Sequence, residues 1–188
     1  MALSHGAGTP HRRRTERLVL TAAEETDLDE LYALHSDPRV WEHLPSGRHT
    51  TTARTARDLA EYREDWAAGL GYWVARLPDG TFVGIGGVRL RPAGVLNLYY
   101  RLVPEQQRRG YALEIARAAM DAAAEVRPEA PVTAFLLEHN TASRAVAERL
   151  GLTQVFRGHD AGNPDPRAVR LVYADRPLTE AQLNALLA

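Results

Sequence analysis

The chain has 188 residues, which is enough for one domain with a substantial hydrophobic core. Its formal net charge of −1 does not indicate a nucleic-acid-binding protein, and the absence of cysteine excludes disulfides, thiolate metal sites and a cysteine nucleophile. No apolar run approaches the roughly 20 residues that a membrane-spanning helix needs, and the beginning of the chain lacks the apolar core of a signal peptide. We therefore expect a cytoplasmic protein that does not associate with membranes.

The beginning of the chain differs in character from the rest. Residues 1–15 are small, polar and basic and show no hydrophobic period, which predicts a disordered tail. The remaining residues contain neither an internal repeat nor a convincing linker. We therefore predict a single domain over residues 16–188.

Hydrophobic periodicity and turn residues divide this domain into strands and helices. The predicted strands are 17–22, 72–77, 81–90, 95–103, 132–137, 152–158 and 168–174. The predicted helices are 24–44, which Pro38 interrupts, 50–68, 110–126, 141–150 and 179–187. The three central strands form a meander that leads into a right-handed β-α-β crossover. This order predicts an α/β (mixed α+β) fold, in which a mixed, mostly antiparallel sheet of about seven strands carries helices on both faces.

A polar turn joins the last strand of the meander to the helix that follows it. The turn has the pattern Gln107-x-x-Gly110-x-Ala112, with Arg108 and Arg109 inside it. Small residues let the main chain approach a ligand closely. The first amides of a helix have no partner within the helix and carry a partial positive charge. The turn therefore predicts a binding site for a phosphate or pyrophosphate.

A second motif lies downstream, where Asn140-x-x-Ser143 precedes the sequence E-R-L-G-L at 148–152. Together with the turn and the order of elements, it makes residues 17–174 resemble the GNAT superfamily of N-acetyltransferases. The downstream motif is similar to the segment N-x-x-S-x-x-x-x-E-K-L-G-F of the Rim-type branch, which includes acetyltransferases of ribosomal-protein N-termini. The sequence D-P-R-V at 37–40 resembles the first-helix segment of that branch.

The resemblance implies acetyl-CoA, or another short acyl-CoA, as the donor, with no metal. It places the pantetheine arm along the main chain of Leu102 and Val103 and the pyrophosphate on the amides that follow. The implied donor-binding residues are Leu102, Val103, Gln107, Arg108, Arg109, Gly110, Tyr111, Ala112, Asn140 and Ser143. Asn140 also suits the cap of the following helix, and one side chain can serve both roles. The alternative for one of these two arginines is an ordinary solvated side chain with no role in binding.

The departing thiolate needs a proton donor, and the residue that commonly fills this role in the family is absent from this chain. Many GNAT enzymes place a tyrosine seven residues after the asparagine, but this chain has Ala147 there. In Rim-type relatives the serine equivalent to Ser143 is a proposed donor, so Ser143 is our candidate. The alternative is that this serine only hydrogen-bonds its own helix terminus.

The general base is less well defined by the sequence. Related sequences often carry an acidic residue near position 97, whereas Asn97 can hold a water or a substrate carbonyl but cannot accept a proton. Glu138 is a candidate base, as are His43, His139 and His159, although each also fits a surface or packing role. An α-amine has a pKa of about 7.7–8.0, whereas a lysine amine costs about 3.5 kcal/mol more to deprotonate. A site without a dedicated carboxylate therefore favours an N-terminal or other low-pKa amine.

The acceptor pocket is expected, by family analogy, between the early helices and the loop of the late strands. Its candidate lining residues are Trp41, His43, Trp66, Tyr99 and Tyr100, although aromatic residues at these spacings also fit a hydrophobic core. The seven histidines show no metal-ligand spacing, so we predict no zinc site.

These observations predict an N-acetyltransferase that transfers an acetyl group from acetyl-CoA to a primary amine, such as a protein N-terminal α-amine, by direct attack in a ternary complex. Two alternatives remain. The acceptor could be a small molecule such as an antibiotic or a polyamine, although a polyamine site should be markedly acidic. The protein could instead be a CoA-binding sensor or interaction module with little catalysis. The resemblance also suggests a homodimer.

Overall fold

The computed structural model describes residues 10–161 and 163–187, which form eight strands in one sheet and five α-helices. The strands are β1 (Arg12–Arg14), β2 (Val19–Ala22), β3 (Tyr72–Arg76), β4 (Phe82–Arg91), β5 (Val95–Leu102), β6 (Val132–Leu137), β7 (Thr153–His159) and β8 (Val169–Ala174). The helices are α1 (Leu28–Ser36), α2 (Thr52–Asp65), α3 (Tyr111–Val126), α4 (Thr141–Arg149) and α5 (Glu180–Leu187). Within these described ranges, no helix combines the length and the apolar character that crossing a membrane requires.

The sheet has the order β1-β2-β3-β4-β5-β6-β8-β7. Every neighbouring pair is antiparallel except β5 and β6, which are parallel and joined through α3. The predicted fold class, a mixed and mostly antiparallel sheet flanked by helices, is confirmed. The sheet contains one strand more than predicted, because the N-terminal segment adds β1.

The described part of the predicted tail is therefore ordered, and that part of the prediction is wrong. Arg12–Arg14 pairs antiparallel with β2, and the indole N–H of Trp73 donates to the carbonyl of Pro10 at 3.0 Å. Three consecutive arginines show no hydrophobic period, but an edge strand is held by main-chain hydrogen bonds, which any of these side chains permits. Residues 1–9 of the predicted tail lie outside the described residues.

The sheet separates two apolar clusters, one on each face. Buried alanines such as Ala119 let α3 pack closely on one face, while Leu31 and Leu59 bring α1 and α2 onto the other. Successive side chains of a strand point to opposite faces, so β5 contributes to both clusters. Leu98 lies on the α3 side and Tyr99 packs on the side of α1 and α2. The side chains of β5 can therefore serve two separate compartments.

The parallel pairing of β5 and β6 is short. Only Leu96 with Val132 and Asn97 with Thr133 are in register, although both strands continue beyond these pairs. On their outer sides, β5 stays paired with β4, and β6 stays paired with β8. The two strands therefore diverge beyond Asn97, and we call the gap between them the wedge. Its β5 edge presents main-chain groups that an extended ligand can use as a partner strand would.

Candidate functional site

The turn between β5 and α3 has the geometry of an anion site. Arg108 and Gly110 adopt left-handed backbone conformations, with φ of +59° and +85°. Among the described residues, the amides from Arg108 to Leu113 donate to no protein acceptor. Gln107 fixes the turn to the strand, since its Nε2 donates to the carbonyl of Leu102 at 3.2 Å. Successive free amides in such a turn, at the positive end of a helix, form a concavity that suits a phosphate group.

Side chains around this turn add positive charge. Arg108 and Arg109 are exposed and make no ion pair within the described ranges. Arg17 braces the turn, because its NH1 donates to the carbonyl of Arg109 at 2.9 Å and its Nε donates to Glu114 at 2.8 Å. Burial opposes ionisation of Glu114, but hydrogen bonds from Thr15 and Arg17 outweigh it and lower the pKa of this carboxyl. Sequence reasoning missed Arg17, which lies more than 90 residues from the turn along the chain.

Helix α4 begins at the wedge and carries the second motif. The Oδ1 atom of Asn140 accepts from the amide of Ser143 at 3.1 Å, so the predicted helix cap is present. The Oγ atom of Ser143 lies 2.8 Å from the hydroxyl of Tyr100, which also donates to the carbonyl of Ser143 at 3.1 Å. Ala147 is buried and offers no proton donor.

The contact between Ser143 and Tyr100 changes the interpretation of both residues. Within the described residues, the Ser143 hydroxyl bonds a residue of β5 and has no partner in its own helix. Burial raises the pKa of Tyr100 to about 12, although its hydrogen bond with Ser143 opposes the shift. The phenol is therefore protonated at neutral pH. The sequence named Tyr100 only as a lining residue and gave no signal for this contact.

The opposite face of β5 carries the predicted acceptor-side residues Asn97 and Tyr99, followed by Arg101. The Nε atom of Arg101 donates to the hydroxyl of Tyr99 at 2.7 Å. Its guanidinium lies 3.4 Å from the ring centroid of Trp41, which belongs to the segment after α1. The Oδ1 atom of Asn97 is buried and has no hydrogen-bond partner among the described residues. The structure thus brings Trp41, Tyr99 and Asn97 to one side of the sheet, with a cation between the two rings.

Buried histidines extend this acceptor side. The rings of His35 and His49 stack with their centroids 4.6 Å apart, and His35 Nε2 lies 3.4 Å from the Tyr99 hydroxyl. The Nδ1 atom of His49 lies 2.8 Å from Thr55 Oγ1, and its Nε2 lies 3.2 Å from a carboxylate oxygen of Asp58. Sequence reasoning missed His35 and His49 as part of this region, because histidines so far apart in the chain carry no pattern.

These histidines are neutral at physiological pH. Burial, and then the charges of His49 and Arg101, lower the pKa of His35 to about 3. Burial, followed by the charges of Arg101 and His139, lowers the pKa of His43 to about 4. Burial likewise lowers the pKa of His49. Neutral imidazoles can accept a proton, but pKa values this low make them weak bases.

Two of the predicted site residues do not join this group of side chains. Trp66 lies elsewhere in the fold, and Glu138 is paired with an arginine. Trp66 belongs to the other apolar cluster, where its ring centroid is 5.5 Å from that of Trp73, because α2 ends one residue earlier and turns the indole under β3. Glu138 is held by Arg157 at 2.7 and 3.1 Å, and this hydrogen bonding lowers its pKa. The structure therefore does not bring Trp66 to the acceptor side, and it leaves Glu138 a poor proton acceptor.

Comparison with known proteins matches this chain to acetyltransferases, both by sequence and by structure. Residues 17–153 match the model of the acetyltransferase (GNAT) domain. An acetyltransferase from Agrobacterium tumefaciens is 26% identical, with a TM-score of 0.73 over 94% of this chain and 99% of that chain. RimL, a ribosomal α-N-protein acetyltransferase solved with coenzyme A, is 19% identical, with a TM-score of 0.72 over 85% and 94% of the two chains. The spermidine N-acetyltransferase of Vibrio cholerae, solved with CoA and spermine, is 13% identical, with a TM-score of 0.71 over 88% and 97%.

The likeness to the last two structures concerns the fold, since their identity to this chain is low. The family match is independent of them and spans both the turn before α3 and the motif at the start of α4. The chain therefore belongs to the GNAT acetyltransferase family, and it is an acetyltransferase that uses acetyl-CoA as its acyl donor.

Proposed function

We propose that the protein acetylates the α-amine at the N-terminus of a peptide or protein, by direct attack in a ternary complex. The observation that carries this proposal is that the described residues of the acceptor side include no competent base. Asn97 occupies the position where relatives carry a carboxylate, and the histidines around it have lowered pKa values. Such a site needs an acceptor that is partly neutral in solution, which an α-amine is and a lysine amine is not.

The donor is proposed to bind across the wedge. The pantetheine arm would pair with the β5 edge at Leu102 and Val103, and the pyrophosphate would accept from the free amides that run from Arg108 to Ala112. Asn140 would contact the arm from the start of α4 while it caps that helix. The support for this arrangement is the divergence of β5 from β6 and the absence of protein acceptors for these amides within the described ranges.

The proposed transfer needs one proton donor and one route for the amine proton. The amine lone pair forms the new C–N bond, the C–S bond breaks, and its electron pair goes to sulfur. The thiolate then takes the proton of Ser143 Oγ, the phenol of Tyr100, 2.8 Å away, resupplies the serine proton, and the phenolate takes a proton from solvent to complete the cycle. The proton that the nitrogen loses passes to solvent, because the amide of Asn97, whose Oδ1 is buried, cannot accept it. Proton transfer of this kind contributes about 10²–10⁴-fold to a rate.

A polyamine is the rival acceptor, and the local charge opposes it. A polyamine site should carry carboxylates that face the substrate. Here Arg101 faces the acceptor side instead, and no carboxylate lies within 4.0 Å of it among the described residues. A cation at this position repels a polycation.

One assay separates the candidate functions. The protein is incubated with acetyl-CoA and, in separate reactions, with N-terminal peptides, spermidine and aminoglycosides, and release of free CoA is followed. We expect turnover on peptides and at least about tenfold lower kcat/KM on spermidine, given the difference in amine pKa. Preference for spermidine would refute the proposed acceptor. Tight CoA binding with turnover on no acceptor would favour a sensor or interaction module.

The proposed homodimer rests on family resemblance, and analytical ultracentrifugation tests it.

A further inference from the structure

On the predicted acceptor side, Arg101 is a cation that no carboxylate of the described residues balances. Arg101 donates from Nε to the hydroxyl of Tyr99 and from NH1 to the carbonyl of Val40, and both acceptors are neutral. Its second terminal nitrogen donates to no protein acceptor within the described part of the chain. A half-buried guanidinium usually pairs with a carboxylate, because burying a charge without a partner is costly. The lack of a carboxylate partner among the described residues therefore indicates that a bound molecule supplies one.

Carboxylates of the flanking segments are engaged with other residues. Asp37 and Glu105 both pair with Arg39, which is adjacent in sequence to Val40, the main-chain partner of Arg101. Asp58 lies against His49, as described above. Glu42 is exposed and makes neither a hydrogen bond nor an ion pair with Arg101 among the described residues. Among residues 10–161 and 163–187, no carboxylate thus pairs with Arg101, whereas two carboxylates pair with Arg39.

The guanidinium is also held in place. It stacks on the indole of Trp41, and the indole N–H is itself anchored to the carbonyl of His35 at 2.7 Å. Two hydrogen bonds from the guanidinium fix its rotation, so its remaining N–H groups point in a defined direction. A planar guanidinium fixed in this way recognises a carboxylate with little loss of side-chain entropy.

The position of Arg101 relates it to the transfer step. Tyr100, the preceding residue, points to the other face and contacts Ser143 at the wedge. Adjacent residues of a strand are separated by about 3.3 Å. The side chain of Arg101 projects to the opposite face, which also carries Asn97 and Tyr99 and from which the acceptor is proposed to approach the wedge.

From this geometry we infer that Arg101, stacked on Trp41, binds a carboxylate of the acceptor, so that the substrate is an amine that also carries a carboxylate. This inference rests on the proposed acetyl transfer to an α-amine and names its substrate class. The source that fits the proposed acceptor is a peptide whose first or second residue is acidic. A free amino acid also carries an α-carboxylate, but that carboxylate raises the pKa of its amine above that of a peptide N-terminus, so it is the rival source that the test distinguishes.

The test compares matched acceptors. One pair consists of peptides with Asp or Asn at the first position, and a second pair is free aspartate and its α-carboxamide. We expect kcat/KM at least about tenfold higher for the carboxylate member of the pair that represents the true source, the size of a charge-assisted hydrogen bond. Arg101→Gln should lower kcat/KM of that member about tenfold more than that of its amide, and Arg101→Lys should restore part of the preference. Arg39→Gln, in an arginine that the protein already pairs, is the control and should leave the ratio unchanged.

The outcomes separate this inference from the proposed function. Turnover with equal kcat/KM within both pairs, or equal losses for both members in Arg101→Gln, would overturn the carboxylate site and leave the acetyltransferase intact. If no acceptor turns over, binding of N-acetylaspartate to the CoA complex is measured by calorimetry. Binding that Arg101→Gln weakens would support the site despite failure of the proposed reaction, and absence of binding would refute it. Circular dichroism and CoA affinity establish that each variant is folded.

Discussion

The hydroxyl pair at the wedge makes a sharp prediction for Tyr100→Phe. The Tyr100 hydroxyl lies 2.8 Å from Ser143 Oγ and 3.1 Å from the Ser143 carbonyl. The substitution removes only this oxygen from a ring that packs against the α3 cluster. If the phenol resupplies the serine proton, Tyr100→Phe must lower kcat and leave the affinity for acetyl-CoA unchanged.

The expected magnitude follows from one lost hydrogen bond. A net hydrogen bond contributes about 0.5–1.5 kcal/mol, and a buried partner left unsatisfied costs about 1–3 kcal/mol. Ser143 is half-buried, so we expect the substitution to raise the activation free energy by about 1–2 kcal/mol, which lowers kcat about 5–30-fold. Ser143→Ala removes the donor itself and should cost about 100-fold or more. In that background Tyr100→Phe should cost less than about twofold, because its partner is already gone.

Steady-state release of CoA, detected with a thiol reagent at saturating acetyl-CoA, measures these changes. Calorimetry of CoA binding shows whether the donor site is intact. Tyr32→Phe, at a half-buried tyrosine of α1, is the matched control and should leave kcat unchanged. Fully additive losses in the double variant would refute the relay, as would a Tyr100→Phe effect confined to the KM for acetyl-CoA.

Three further predictions concern the turn, the candidate base Glu138 and the response to pH. Gly110→Glu should weaken CoA binding at least about 100-fold in calorimetry, because a side chain at φ of +85° costs about 1–2 kcal/mol and its carboxylate repels the pyrophosphate. Glu138→Gln should change kcat less than about threefold and leave its pH profile in place, since Arg157 already holds this carboxylate; a tenfold loss would restore Glu138 as a base. The folded-state pKa values of His35 and His43, about 3 and about 4, lie below the unfolded value of 6.5, so unfolded chains bind more protons and stability falls as pH drops from 6.5 towards 4. Urea unfolding across that range should show a smaller decline in His35→Gln, and an equal decline would contradict the assignment.

The sequence by itself determined the features that depend on short stretches of chain. The strand-turn-helix passage at Gly110 requires a left-handed residue and leaves helix amides free, and both properties belong to a few consecutive residues. The cap at Asn140 and the break of α1 before Pro38 are local in the same sense, and the structure contains both. Together with hydrophobic periodicity, these signals predicted the order of elements apart from β1, and they predicted a phosphate-binding turn. Acetyl-CoA as the donor was predicted from the resemblance to the GNAT superfamily.

Tertiary structure alone decided which side chains meet. Ser143 and Tyr100 are 43 residues apart, and they touch because β5 and β6 diverge and α4 begins in the gap. Arg101 reaches Trp41 from 60 residues away, whereas Trp66, which the sequence grouped with Trp41, lies in the other cluster. The physical reason is that turn conformations, helix caps and hydrophobic periods depend on a few consecutive residues, so the local sequence specifies them. The register of a sheet and the path of a connecting segment bring distant side chains together, and no local pattern records the result.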